Sequence, residues 1–162
     1  MKSRSYSFWV VTISLFFAYL FAIVPLPEWA MNWRPQWALM FVFYWTMALP
    51  YRVGLGFAWV AGLLLDVLEG GILGLNGLIL LIVAYITLSL HQRLRMYTPI
   101  QQSGVVFFLC LPMLGLNHWL RVVNGLVVSA DSYYLLAALS SAAIWPALFS
   151  LLRGLRRGFI NS

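Results

Sequence analysis

Two carboxylates, Asp66 and Glu69, stand three residues apart in a glycine-rich and otherwise apolar stretch that runs from Gly62 to Gly74. On a helix, residues at this spacing lie near each other and could relay a proton or hold a ligand. A carboxylate at the end of a membrane segment is costly unless water or a partner reaches it, so an acid in a membrane segment is a candidate functional residue. This stretch is therefore the first candidate site.

The other residue types that commonly carry chemistry are isolated. His91 and His118 fall at opposite ends of predicted membrane helices, about a membrane thickness apart, and cannot share a metal ion. Cys110 lies inside an apolar run and is interpreted as a small buried residue rather than a reactive thiol. No Lys or Ser/Thr follows the glycines as in a phosphate-binding loop. We expect no catalytic set, no metal and no cofactor.

The composition indicates that these residues are held by membrane helices. Of the 162 residues, 63% are hydrophobic and 9% are charged, whereas a soluble domain carries about 25% charged residues. The net charge of +6 does not indicate a nucleic-acid partner, because the basic residues are few and stand at the ends of apolar runs. We predict an all-α integral membrane protein, with residues 1–162 as one polytopic domain in contact with membrane lipids.

Six apolar runs predict six transmembrane helices in one bundle. The predicted spans are 8–24, 33–50, 53–68, 72–90, 104–121 and 133–152. A spanning helix needs about 20 residues, so the short second and third runs must extend past their apolar cores; the alternative is a re-entrant hairpin. The polar segment 91–103 is predicted to be an inner loop.

The basic residues predict the orientation of the bundle. With both termini in the cytoplasm, the inner segments hold eight of the ten Lys and Arg residues, and only Arg34 and Arg121 lie outside. All the acidic residues then lie outside: Glu28, Asp66, Glu69 and Asp131. The C-terminal basic cap anchors this topology, holds anionic lipid or docks a cytoplasmic partner; its residues are Arg153, Arg156 and Arg157.

Small residues recur every four positions along the third span and end at the acid, in the order Gly54, Ala58, Gly62, Asp66. This pattern resembles small-xxx-small packing, in which helix backbones approach closely, so the stripe is expected to face other helices. Asp66 then points to the bundle interior or to an outward-opening cavity. Three readings of Asp66 remain open: a structural or hydrated acid, a proton relay or ligand, and a partner contact.

The surroundings of Asp66 can also be predicted. Gly70, Gly71 and Gly74 are interpreted as the turn into the fourth span, because glycine adopts conformations that other residues avoid. Arg34 and Arg121 are the candidate ionic partners, since they are the cations on the same side. A polar patch could lie nearby and form either a hydrogen-bonded network at the helix ends or a small-molecule pocket; it comprises Asn76, Asn117, His118 and Arg121.

Four short motifs follow one another along nearly the whole chain. They are Arg34-Pro35-Gln36-Trp37, then Ala48-Leu49-Pro50-Tyr51-Arg52-Val53-Gly54, then Gly62-x-x-x-Asp66 with Gly70 and Leu73-Gly74, and finally Trp145-Pro146 before the basic tail. Together they resemble the rod shape-determining protein MreD family. The candidate structural or partner-contact residues are Arg34, Pro35, Arg52, Gly54, Ala58, Gly62, Asp66, Gly70 and Gly74.

The resemblance implies a non-enzymatic component of the bacterial cell-elongation machinery in the inner membrane. It implies association with MreC, in a complex with the MreB filament, the glycosyltransferase RodA and a penicillin-binding transpeptidase, that maintains rod shape through peptidoglycan synthesis. It also implies a fold similar to the substrate-binding membrane subunits of energy-coupling vitamin transporters. That similarity leaves an alternative function, a small-molecule-binding or transporter-type subunit with an outward-facing polar pocket.

Overall fold

A computed structural model describes residues 2–126 and 134–159 of the chain. Across these residues there are seven helices and no strand. The helices are α1 (Lys2–Ile23), α2 (Glu28–Met31), α3 (Trp37–Ala48), α4 (Leu55–Glu69), α5 (Leu75–Met96), α6 (Pro99–Val123) and α7 (Tyr134–Phe159). Asp131 and residue 133, the predicted start of the sixth span, lie outside the described residues.

Among residues 2–126 and 134–159, four helices are long and apolar enough to cross a membrane: α5, α6, α7 and the part of α1 from Ser5 onward. The three helices between α1 and α5 are shorter: α2 has 4 residues, α3 has 12 and α4 has 15. The second predicted span therefore starts at Trp37 rather than near Trp33. Pro35 disfavours the helical conformation in the residue before it, so the helix does not extend back through Arg34. The number of crossings and their orientation stay predictions.

The short helix α3 forms the centre of the bundle. Every residue of α3 from Ala38 to Ala48 is buried, and α1, α4, α5 and α7 pack around it. A helix that is apolar on all sides suits such an enclosed position. Because protein rather than lipid surrounds it, the non-helical backbone at its two ends is tolerated at membrane depth. Enclosure thus accounts for an apolar helix of only 12 residues where the sequence predicts a span over 33–50.

Two hydrogen bonds, one buried and one partly buried, hold α3 against its neighbours. The Trp45 indole N–H donates to the Ser14 hydroxyl of α1 at 2.8 Å. At the other end of the helix, the Gln36 backbone N–H donates to the Ser141 hydroxyl of α7 at 2.9 Å. These bonds satisfy polar groups inside an apolar core, where an unpaired donor would be costly. They therefore specify how α1 and α7 are positioned along α3.

The bundle has two chemically different ends. The end at which α4 leads into α5 carries Asp66 and Glu69 and is called the acidic end. At the opposite end, the Arg95 guanidinium donates to the last carbonyls of α3, Met47 O and Ala48 O, at 3.0 and 2.8 Å. Arg153 and Arg156 of α7 line a cleft there. We call this end the basic end.

The predicted inner loop over 91–103 is wrong. Helix α5 continues to Met96 and α6 begins at Pro99, so only Tyr97 and Thr98 separate the two helices. A capping box starts α6, because the Thr98 hydroxyl accepts from the Gln101 N–H while the Gln101 side chain accepts from the Thr98 N–H. The polar helix ends extend past the apolar cores on which the prediction was based. Likewise, α7 continues past the predicted residue 152 to Phe159.

Candidate functional site at the junction of two helices

The backbones of α4 and α5 touch at Gly62. A Cβ atom added to Gly62 would lie 2.4 Å from the carbonyl oxygen of Asn76 and 2.4 Å from the Cα of Gly77. Both neighbours are backbone atoms, so only glycine fits at this position. Ala58, one turn earlier on the stripe, is also buried. The structure therefore places the close approach expected from the stripe at its third position, one helical turn before Asp66.

Asp66 is 2% exposed, and its carboxylate accepts three backbone N–H groups from the start of α5. Gly74 N and Gly77 N donate to Oδ2 at 2.9 and 3.4 Å, and Asn76 N donates to Oδ1 at 3.1 Å. N–H groups in the first turn of a helix have no partner within that helix. Gly74, the N-cap of α5, has no side chain to offer them. Asp66 therefore caps α5 from the preceding helix, and its negative charge lies at the positive end of the α5 dipole.

Two glycines make the tight connection between Asp66 and α5 possible. Gly70, the residue after α4, has φ +65°, and Gly74 has φ +92°. Side chains are strained in this left-handed region, whereas glycine is not. The Gly71 N–H donates to the carbonyl oxygen of Asp66 at 3.3 Å, which caps the C-terminal end of α4. The turn expected from the glycines is thus formed at positions 70 and 74.

A ring of four polar side chains lies beside Asp66. Asn76 donates from Nδ2 to Glu69 at 3.2 Å and accepts from Asn117 Nδ2 at 3.3 Å. Asn117 accepts from Arg121 Nε at 2.7 Å, and Arg121 Nη2 lies 3.5 Å from Glu69 Oε2. The ring joins α4, α5 and α6. Glu69 and Arg121 are 33% and 34% exposed, so their ion pair adds little energy alone; the ring acts mainly by fixing geometry.

The expected partners of Asp66 are wrong. Arg121 pairs with Glu69 instead, and Arg34 Nη2 donates to the carbonyl oxygen of Val24. Backbone N–H groups satisfy Asp66 because the glycine turn brings the start of α5 back to it. His118 takes no part in the ring of four polar side chains: its Nε2 has no hydrogen-bond partner, and its imidazole centroid lies 5.9 Å from the centroid of the Tyr134 ring. The hydrogen-bonded network reading of the polar patch therefore applies to Asn76, Asn117 and Arg121.

A cleft of about 330 Å³ at the acidic end is lined by Arg34, Glu69 and Arg121, together with Ala22, Ile23 and Leu68. Asp66 and Asn117, which the pocket hypothesis also required, do not line it. Pro35 lies next to this cleft in sequence and immediately precedes Gln36, the N-cap of α3. Within the described ranges, no group of three or more His, Cys, Asp or Glu residues could hold a metal ion.

Two candidate residues lie away from this site. Gly54 is the N-cap of α4, and a Cβ added there would meet nothing within 4 Å. The expectation that Gly54 takes part in close packing is therefore wrong, because the α4 stripe starts before the helices touch. Arg52 is exposed in the turn between α3 and α4 and lines a cleft with Ser7 and Tyr51. Both residues are at the opposite end of α4 from Asp66.

Comparison with known proteins decides the family. The family model described as rod shape-determining protein MreD matches residues 3–155. This chain belongs to the MreD family. Rod shape-determining protein MreD of Haemophilus influenzae is 28% identical in an alignment 162 residues long that covers 97% of each chain. With four helices in its described part that are long and apolar enough to cross a membrane, this MreD-family chain is a multi-pass membrane protein of the rod shape-determining class.

No solved structure matches this MreD-family chain. The similarity in fold to substrate-binding subunits of vitamin transporters therefore stays a prediction. The buried position of Asp66 is explained by two features: the close approach of α4 and α5 at Gly62, and the three backbone N–H groups that donate to the carboxylate.

A second polar cluster, at the basic end, was missed by the sequence reasoning. Gln102 is buried, and its amide donates to Leu94 O at 2.9 Å and accepts from the Trp145 indole N–H at 3.3 Å. It thereby links α5, α6 and α7. The signal that could have revealed it is the Thr98-Pro99-x-Gln101 sequence, a capping-box pattern that places Gln102 inside a helix rather than a loop.

Proposed function

We propose that this chain is a non-enzymatic scaffold of the bacterial cell-elongation complex. In this proposal it lies in the inner membrane with six crossings and both termini in the cytoplasm. It holds MreC next to the peptidoglycan synthases, RodA and a penicillin-binding transpeptidase, and connects them with the MreB filament. Family membership supports a role in rod shape, and the partners follow from the resemblance of the motifs.

The observation that supports the scaffold function is the hydrogen bonding of Asp66. Its buried carboxylate accepts three backbone N–H groups, so its oxygen atoms are already engaged in joining α4 to α5. A proton relay or a ligand site needs an acid that can change partners. The stretch with the most reactive residue types therefore supports the shape of the bundle, which favours a scaffold over a transporter-type subunit.

A partner helix would contact faces that the bundle leaves open. The small-residue stripe of α4 is used within the chain, against α5, and the opposite face of α4 exposes Val60, Leu64 and Val67. Helix α1 exposes a row of aromatic side chains that includes Phe16 and Phe17. In the proposal, the transmembrane helix of MreC packs on one of these faces, and lipid covers the other.

Depletion in a strain without a second copy tests the role. Rods should become round, MreC should lose its normal localisation, and re-expression of the wild-type chain should restore both. Photo-crosslinking residues placed at Phe16 and Val67, which sample the open faces of α1 and α4, should capture MreC from one face. A crosslinker at Leu139, an exposed residue of α7 outside these two faces, serves as the matched control. Normal rods after complete depletion would refute the scaffold role.

Topology is tested separately. A reporter active only outside the cytoplasm should work when fused after Glu69 and fail when fused after Arg157. The opposite pattern would overturn the proposed orientation while leaving the shape-determining role untouched. The acidic end would then face the cytoplasm, and the basic residues would lie outside, against their usual distribution in membrane proteins.

A further inference from the structure

The basic end contains a cleft that the shape-determining role does not explain. It has a volume of about 490 Å³ and opens between the ends of α3, α5, α6 and α7. We call it the Tyr44 cleft; its principal lining residues are Tyr44, Arg95, Gln102, Phe149, Arg153 and Arg156. All residues that line it are among those the structure describes, and none of them is acidic. Its charge is therefore wholly positive.

Tyr44 provides a buried polar group without a partner. The side chain is 1% exposed, and its hydroxyl makes no hydrogen bond. Arg156 contributes a second such group, since its Nε is also buried and unpartnered. Buried donors nearly always have a hydrogen-bond partner in proteins, so two buried donors without one in the same cleft indicate that the cleft binds a ligand with acceptor atoms. The guanidinium groups of Arg153 and Arg156 also act electrostatically on the Tyr44 hydroxyl.

The rest of the lining is held in place. Arg95 is fixed by its two hydrogen bonds to Met47 O and Ala48 O. The Gln102 amide is occupied by Leu94 O and by the indole of Trp145. The groups left to meet a ligand are therefore hydroxyl and guanidinium donors on a rigid support. Several donors with positive charge match an anion that offers several acceptor oxygens, as a phosphate does.

We propose that the Tyr44 cleft binds the phosphate of an anionic phospholipid headgroup. The cleft lies where apolar helices end, which is the depth of lipid headgroups in a bilayer. Phe149 and Leu49 supply an apolar wall beside the cations, against which the glycerol and upper acyl chain can pack. A free phosphate ion shares the charge but has no use for that wall. The inference does not depend on the partners proposed above.

The test uses the purified full chain in phosphatidylcholine nanodiscs with increasing phosphatidylglycerol. Phosphatidylglycerol should raise the melting temperature and remain bound in native mass spectrometry. Tyr44→Phe and Arg156→Gln should each weaken its binding about 5–10-fold, the loss expected for one hydrogen bond. Arg93→Gln is the matched control, because Arg93 is an exposed cation at the same end of α5 that does not line the cleft.

Tyr44→Phe separates ligand loss from misfolding. It removes a hydroxyl that has no partner, so without anionic lipid the variant should be at least as stable as the wild type. Undiminished phosphatidylglycerol binding by both cleft variants, or an equal loss in Arg93→Gln, would overturn the proposal. So would a full thermal shift with inorganic phosphate alone, which would assign the cleft to free phosphate, or a shift only with an acidic peptide.

Discussion

Replacement of Gly62 with alanine should force α4 and α5 apart. The added Cβ would lie 2.4 Å from Asn76 O and from Gly77 Cα, whereas ordinary contacts begin at 3.4 Å, so the helices must separate by about 1 Å. The hydrogen bonds from Asn76 N and Gly77 N to Asp66, at 3.1 and 3.4 Å, cannot absorb that movement. Gly62→Ala should therefore disrupt both the packing and the cap of α5.

The loss of stability expected for Gly62→Ala is the sum of three contributions. Overpacking costs about 1–3 kcal/mol, and weakened hydrogen bonds to a charged group cost about 1.5–3 kcal/mol. Alanine returns about 1 kcal/mol through its better helix propensity. The net loss is about 3 kcal/mol, which corresponds to a fall of about 6–12 °C in melting temperature for a chain of this length.

Gly56→Ala is the matched control for this measurement. Gly56 lies in the same helix, and a Cβ there would meet nothing within 4 Å, so this change should stabilise the protein by up to about 1 kcal/mol. Both variants would be melted in the same detergent, with tryptophan fluorescence as the signal, and expressed in depleted cells to score rod shape. If Gly62→Ala melts at the temperature of Gly56→Ala, the close-approach reasoning is refuted.

Two further substitutions test the polar groups. Asp66→Asn should lower stability by about 2–3 kcal/mol in thermal melts, because an amide NH₂ would face backbone donors. Glu69 is one-third exposed, so the control Glu69→Gln should cost less than about 1 kcal/mol. Equal losses in the two variants would contradict the capping role of Asp66. Gln102→Leu should lower stability by about 1–3 kcal/mol, because it leaves the Trp145 N–H unpaired. Gln92 is exposed, so the control Gln92→Leu should be nearly neutral. Equal melting temperatures of the two variants would refute the role of Gln102 in linking α5, α6 and α7.

Local patterns accounted for much of the acidic end. Residues four apart lie near one face of a helix, so the spacing of Gly62 and Asp66 predicts that both meet the same neighbour. The left-handed backbone at Gly70 and Gly74 is a property of single residues, and glycine predicts it directly. The start of α6 was equally local, but the prediction followed polarity and overlooked the cap at Thr98 and Gln101.

The sequence by itself determined that the chain consists of apolar helices, and that α4 ends at a capped glycine turn, because hydropathy, helical period and backbone sterics act over a few residues. Only the tertiary structure decided which groups satisfy Asp66, why α3 can be short, and which side chains meet at the Tyr44 cleft. Asn76 and Asn117 are 41 positions apart, and Gln102 and Trp145 are 43. Such pairs form through helix packing, whose register a single sequence does not encode locally.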